Sequence, residues 1–415
     1  MNPPPPHPAP GGIFAPFRYP AFRAIWIANL WSNMGSQVQS VGAAWLMTDL
    51  SHSHRMVALV QASTTIPIML IGVPAGAIAD NFDRRRVMLA AQTGMLVAAA
   101  LLALATWQDV VTPWLLLAFT LAIGIGTALN SPAWQASVRQ QVDRADLGQA
   151  ISLNTVSFNL GRSVGPALGG LLISLWDVGL AFALNAVSFI GMILVLWRWK
   201  PGVPPPERRP MLPAIAEGLR HCFGSGPLRR VLVRGAAAGF GIAGYQALVP
   251  AVVRDQLGGG EFAFGLMLGA FGIGSIAVAF VVAPARGRFG SEAVVAASTL
   301  AFVIAQFVLA EAHSLAQALP ATLIAGAGWV SALTSLNIAM QARSPEHILG
   351  RCLSIYQAIT FGGMALGAWA WGLAADWRGL PFALHAAGLF LLLSLPVLAR
   401  FAPMPRPDEG RIPAP

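Results

Sequence analysis

Charged side chains are scarce in this sequence. They make up 10% of 415 residues, whereas a soluble protein of this size carries about 25%. With 56% hydrophobic residues and a mean hydropathy of +0.64, a water-soluble globular fold is excluded, and an all-α polytopic membrane protein is expected. Cysteine is almost missing too. Cys222 and Cys352 are the only two, both on the expected cytoplasmic side, so no disulfide is expected. There is no phosphate-binding GxxxxGKS or GxxxxGKT and no HExxH, so no ATP-driven pump, enzyme or cofactor is implied. The seven histidines are scattered. His52 and His54 come nearest to a metal pair, and ordinary loop polarity explains them as well.

What is present is a succession of apolar runs. Residues 56–78 and 87–106 each provide about 20 residues, enough at 1.5 Å per residue to cross a hydrocarbon core roughly 30 Å thick. Between them lies a polar island, GVPAGAIADNFDRRR over residues 72–86. Clustered arginine in a short loop marks the cytoplasmic side, because positive charge resists translocation. Arg139, Arg144, Arg198, Lys200, Arg286, Arg288, Arg343 and Arg351 fall on the same side, while the opposite loops hold only Arg55, Arg254 and Arg378. Both termini and the long central loop are therefore expected in the cytoplasm. The net charge of +9 reflects this topology and not a nucleic-acid partner. Gly72 and Gly76 put a flat face on the end of their span, which another helix can approach closely. Asp80, just past that face, can pair with an arginine such as Arg84 or Arg85, or sit at a neighbouring helix's N-terminus. Such a latch holds one arrangement of helices and releases in another.

The pattern Gly76-x-x-x-Asp80-x-x-x-Arg84-Arg85 resembles the loop signature of the major facilitator superfamily (MFS) of secondary transporters, and it lies between the second and third helices, where that signature belongs. Asn81 stands where a basic residue is usual and Asp83 where glycine is usual. The charge pair is kept and the turn is expected to be less tight. The halves of the chain also repeat each other. A shift of about 202 residues lays Leu147 and Gly148 on Leu349 and Gly350, and Gly161, Gly165 and Gly170 on Gly363, Gly367 and Gly372. The same shift lays Arg84 and Arg86 on Arg286 and Arg288, but the second island, PARGRFG at residues 284–290, has no counterpart of Asp80. Twelve transmembrane helices in two six-helix bundles, the MFS arrangement, follow from this repeat. The expected divisions are a proline-rich tail at 1–16 without the layout of a secretory signal, a bundle at 17–199, a cytoplasmic linker at 200–228, a second bundle at 229–400 and a tail at 401–415.

The fifth span carries Gly161-Arg162-Ser-Val-Gly165-Pro166-Ala-Leu-Gly169-Gly170. Gly161, Gly165 and Gly169 form a smooth ridge, and Pro166 frees a carbonyl and kinks the helix. This resembles the GxxxGPxxGG signature of antiporters and drug exporters, although Ser152 replaces the glycine usual nine residues before Gly161. The resemblance implies that the ridge packs the fifth helix against the eighth. With the Trp45-Leu-Met-Thr and Ile66-Pro67 neighbourhoods, the chain most resembles the bacterial transmembrane secretion effector group, which includes enterobactin exporters, over residues 17–400. Arg162 lies about four turns into its helix, where a guanidinium costs a few kcal/mol unless a carboxylate, carbonyls, water or substrate receives it. It serves equally well on paper as a hydrogen-bond hub near Asn154 and Asn159. Arg234, about a turn into the seventh span, is expected to reach the interface.

No span carries a centred carboxylate. Asp49, Asp109, Asp177, Asp255, Glu261, Glu311 and Asp376 sit at expected external ends, so the coupling ion, a proton or another, is left open. The first helix presents Asn29, Asn33, Ser36, Gln37 and Ser40 along one stripe, which suits a cavity wall or interhelical bonding. The reading is a monomeric inner-membrane secondary transporter exporting a hydrophobic or amphipathic small molecule, siderophore- or drug-like, by alternating access across the lipid bilayer. The first, fourth, seventh and tenth helices then line the cavity. Asn29, Asn33, Gln37, Asn130, Asn154, Tyr245, Gln246, Trp329 and Asn337 are the candidate contacts, each also fit for plain helix packing. An importer or lipid flippase of the same fold, or a non-transporting sensor or assembly protein, are the alternatives.

Overall fold

A computed structural model describes residues 12, 14–201, 210–279, 281–345, 348–406 and 409, with the side chains of Asp80, Arg144, Thr155, Asn159, Ser163, Met211, Ala214 and Ala279 outside that description. The expected disorder of the first residues and the side-chain roles of Asp80 and Asn159 thus fall outside the described residues. The chain folds into α1 (Pro20–Leu50), α2 (His54–Asn81), α3 (Arg84–Trp107), α4 (Pro113–Ser137), α5 (Leu147–Leu175), α6 (Val178–Arg198), α7 (Met211–Gly224), α8 (Gly226–Ala251), α9 (Glu261–Ala279), α10 (Val282–Ala310), α11 (Leu315–Gln341), α12 (Leu349–Arg378) and α13 (Leu380–Phe401). Helix is the structure lipid demands, since it satisfies its own backbone. Local signals set the starts. Ser53, Asp83, Thr112, Asp177 and Ser314 accept from backbone N–H groups of the first turns of α2, α3, α4, α6 and α11. Asp83, foreign to the family loop, therefore does a local job: it caps α3.

All helices but α7 span the bilayer, six in each half. Ten of the twelve are long and apolar enough on composition alone. The two that fall short are α1 and α5, which carry the amide stripe and Arg162. The short α7 lies in the linker, unforeseen because its 14 residues are too few to read as a span. Linker end and far end name the two faces below.

The sequence repeat becomes a packing repeat. In the first half α1 packs on α5 and α6, α3 on α4 and α6, and α2 on α4. In the second half α8 packs on α12 and α13, α10 on α11 and α13, and α9 on α11. Two seams join the halves, α2 with α12 and α5 with α9. The repeated glycines make matching contacts. A β-carbon built on Gly161 or Gly165 would stand 3.0 Å from Asn33 Cβ or 2.7 Å from Gln37 Cβ on α1. One on Gly363 or Gly367 would strike the backbone of Ala236 or Phe240 on α8. The third glycine of each set faces the other half: Gly170 meets the backbone of Gly265 on α9, and Gly372 meets Ala58 Cβ at 2.7 Å on α2.

Several expectations are corrected here. The ridge Gly161, Gly165 and Gly169 faces α1, not α9; the α9 seam falls to Gly170 and Ala167, a stripe on nearly the opposite side of the helix at about 100° per residue. Of the two loop glycines only Gly76 meets a neighbour, Ser354 Oγ at 3.3 Å, while Gly72 looks onto its own helix. The second island is itself helical. Residues 282–289 continue as helix, and the bend comes at Gly290 with φ +82°, a value glycine adopts without strain. Arg234 does not snorkel. It is 4% exposed and donates to Glu292 Oε1 at 2.6 Å and to the Ala402 carbonyl at 2.6 Å. The last described residues dock instead of trailing away: Arg343 donates to the Pro405, Arg406 and Glu409 carbonyls, Arg230 pairs with Glu409, and Met404 is buried.

Gly170→Ala forces α5 away from α9, so overpacking of about 1–3 kcal/mol is expected to lower the thermal midpoint of the purified protein. Gly148→Ala, whose β-carbon meets nothing, should leave it unchanged. Size-exclusion profiles after stepwise heating measure both, and equal midpoints would mean the seam is not backbone-tight.

Candidate functional site

At mid-depth the halves meet through a cation. Arg162 on α5 lies with its guanidinium carbon 5.6 Å from the ring centre of Phe158, one turn earlier, and 5.1 Å from that of Trp329 on α11. Among the described residues no carboxylate pairs with it. Ring faces are the electron-rich surfaces left to a cation in an apolar setting. Trp329 is buried, and Phe158, 47% exposed, opens the stripe toward the linker end. Beside this pair stands the polar stripe of α1. Asn33 and Gln37 lie against Gly161 and Gly165, and Asn29 is one turn further toward the linker end. The amide nitrogens of Asn29 and Asn33 are enclosed without a hydrogen-bond partner. An enclosed donor of that kind is costly unless something accepts from it. Gln39 faces the other way and accepts from Asn185 Nδ2 at 2.5 Å, so only part of the α1 amides serve packing.

The remaining candidates scatter. Asn154 is buried on α5, where Trp26 Nε1 donates to the neighbouring Leu153 carbonyl. Asn130 accepts from Gln92 on α3 at 3.4 Å, and Asn337 accepts from Gln341 on its own helix. Gln246 is half-buried. Tyr245 is set apart from a cavity: it is buried inside the second half between Phe271 and Phe302, each 5.8 Å away, because its side of α8 faces α9 and α10. Pro166 stays inside the helix of α5. In the first island Arg84 donates to the Ala136 carbonyl at 2.9 Å, and Arg85 to those of Leu196 and Trp197 at 2.7 Å each. These are the exposed carbonyl ends of α4 and α6, which attract cations.

A second polar layer closes the far end, and the sequence showed its members without their partners. Trp45 Nε1 donates to Glu261 at 2.9 Å, and Arg254 donates to Thr48 Oγ1 at 2.9 Å and to Asp49. His54 lies with Nε2 3.1 Å from Asp255 and Nδ1 3.5 Å from Asp376, and Ser53 Oγ donates to Asp376 at 2.7 Å. Every one of these contacts joins one half to the other. A single turn of π-helix, Val252–Gln256, re-aims Arg254 and Asp255 after Pro250, and Gln256 pins it by donating to the Leu309 and Ala312 carbonyls at 2.8 Å each. The available signal was the coincidence of Arg254 with a row of acids at one end of the spans.

Two six-helix bundles, polar at mid-depth and tied across one end by breakable contacts, define an MFS-type transporter. The chain belongs to the transmembrane secretion effector family, whose model matches residues 11–413. It is 27% identical to the enterobactin exporter EntS of Salmonella choleraesuis over 93% of this chain and 95% of that one. It is 27% identical to the multidrug efflux pump Tap of Mycolicibacterium fortuitum, over 90% and 92%. The match to the staphyloferrin A transporter of Staphylococcus aureus, also 27% identical, spans 39% of this chain and 42% of that one. Among solved structures, a POT family transporter bound to a thioalcohol-conjugated peptide superposes with a TM-score of 0.75 at 13% identity, over 92% and 96%. A D-xylose-proton symporter gives 0.70 at 16%, over 97% and 100%. These two share the fold.

Arg162→Ala is expected to cut transport at least tenfold at matched expression, with Arg162→Lys partly restoring it. Arg234→Ala should instead lower folded yield, since Glu292 and the Ala402 carbonyl lose their donor, a loss of about 1–3 kcal/mol. Flux per folded molecule, from size-exclusion-normalised vesicles, separates the two. Undiminished flux in Arg162→Ala would reduce that residue to packing.

Proposed function

We propose that the protein exports a hydrophobic or amphipathic small molecule, siderophore- or drug-like, across a bacterial inner membrane by alternating access. The observation that carries this reading is the far-end layer. The halves are joined there by polar contacts of surface type, each contributing about 0–1 kcal/mol, which can be broken and remade without disturbing either bundle. Arginines at the linker end, in the first island, at Arg286 and Arg288 and around α7, support a cytoplasmic position for that end and both termini. The halves are then closed toward the outside, and a substrate enters from the cytoplasm.

Arg162 and Trp329 stand where such a substrate rests, with Asn29, Asn33 and Gln37 offering amides from α1. A flat or aromatic molecule with acceptor groups suits this set: Trp329 supplies a ring face, and the enclosed amide donors and the guanidinium supply hydrogen bonds. The names of the relatives, enterobactin exporter and multidrug efflux pump, support both the direction and the class. The Asp80 latch belongs to the same proposal, as the linker-end lock that forms when the far end opens. The working unit is a monomer.

The test is accumulation in inverted vesicles of a catecholate siderophore and an amphipathic dye, with and without a pH gradient. Uptake at least severalfold over vesicles lacking the protein is the expected result, and its abolition when the gradient is collapsed would identify the proton as coupling ion. Uptake only into right-side-out vesicles would show an importer and overturn the direction.

A further inference from the structure

The two arginine islands have parted company. Arg84 and Arg85 cap the carbonyl ends of α4 and α6, and Arg86 stands 3.8 Å from Asp83. In the second half the matching helices are α11 and α13, and other residues serve their ends. Arg343 donates to the Ala339 carbonyl at 2.9 Å, and Arg234 to that of Ala402. Arg286 and Arg288 are therefore not needed for capping. Arg288 lies 5.2 Å from the ring centre of Phe289, and Nη1 of Arg286 is enclosed with no hydrogen-bond partner.

Next to them the helices leave a gap. α9 packs on α5 and α11, and α10 on α11 and α13, so α9 and α10 diverge on the outer side of the bundle. At the end of α9, along α10 and α11, is a crevice of about 420 Å³, within the roughly 300–1,000 Å³ of ligand pockets. Its lining is almost wholly apolar: Ala297 and Ala301 form one wall, and Gly328 and Ser331 the floor. Val281 and Phe289, 58% and 63% exposed, stand at its mouth. Apolar side chains so exposed on the rim of a membrane protein face lipid. The bend at Gly290 sets residues 282–289, with both arginines, at the linker end of this crevice.

We propose that the crevice holds an acyl chain of an anionic phospholipid whose phosphate is received by Arg286 and Arg288. The chemistry is complementary at both ends. A guanidinium pair matches phosphate oxygens and has no acid partner among the described residues, while a slot lined mainly by alanine and valine accepts an acyl chain. A free phosphate or a polar metabolite would leave the slot empty. A zwitterionic lipid would fill it and lose the attraction that arginines at a membrane surface exert on anionic headgroups.

Native mass spectrometry of the purified full chain, titrated with phosphatidylglycerol or with phosphatidylcholine of the same acyl chains, tests the proposal. Retention of phosphatidylglycerol should exceed that of phosphatidylcholine about tenfold, as two arginines near the surface can provide. Arg286→Gln with Arg288→Gln should abolish the preference, and Arg286→Lys with Arg288→Lys should keep most of it. Ala297→Phe, placed on an exposed wall where it disturbs no packing, should reduce retention of both lipids. Equal retention of the two headgroups, binding of inorganic phosphate as tight as that of the lipid, or retention untouched by Ala297→Phe would each overturn it. Should the glutamine pair fail to fold, the lysine pair and Ala297→Phe still decide.

Discussion

Helices immersed in lipid gain no hydrophobic free energy by touching, because one apolar surface is exchanged for another. What holds them is close backbone approach, and in this protein glycine provides it at most of the principal interfaces. The repeated sets divide the task in the same way in both halves. Two glycines fix α5 to α1, or α12 to α8, and the third lies on the seam with the other half. The bundles are firm within themselves, and the seams between them, α2 with α12 and α5 with α9, are packed as extensively and are crowned at the far end by exchangeable polar pairs. A structure so divided can rock as two bodies about those seams.

The same environment governs the charges. A cation inside a span must find something to replace water, and each buried arginine has a different answer: ring faces for Arg162, Glu292 and a carbonyl for Arg234, helix-end and tail carbonyls for Arg343. The two halves even solve one problem twice. At the linker end the first half caps its helices with loop arginines, and the second half uses Arg343, Arg234 and the docked tail. This divergence within a symmetric fold leaves Arg286 and Arg288 for another purpose.

Much of this was legible in the residues. Span number and repeat were readable because hydropathy and glycine spacing are local, and bilayer thickness leaves few alternatives. The failures lie where direction or partners decide. Gly161, Gly165 and Gly169 were recognisable as a ridge, but which helix they meet depends on how α5 is rotated. Tyr245 looked like a cavity residue because its helix lines the centre, yet it sits on the helix's other side. Arg234 looked able to snorkel because nothing in the sequence announces that Ala402 and Glu292 fold back to it. The far-end layer joins residues as distant as Ser53 and Asp376, a pairing that only the seam between halves creates.

The central claim is that the halves move against each other by breaking that layer. Spin labels at His52 and His313 report the far end, and labels at Arg139 and Gln341 the linker end, in a background with Cys222 and Cys352 replaced by serine. Double electron–electron resonance in lipid then gives a distance distribution for each end. Arg254→Ala removes the cation that binds Asp49 and Thr48 across the seam. The account predicts longer far-end distances and shorter linker-end distances in that variant. Distances unchanged at both ends, or lengthened at both, would contradict it.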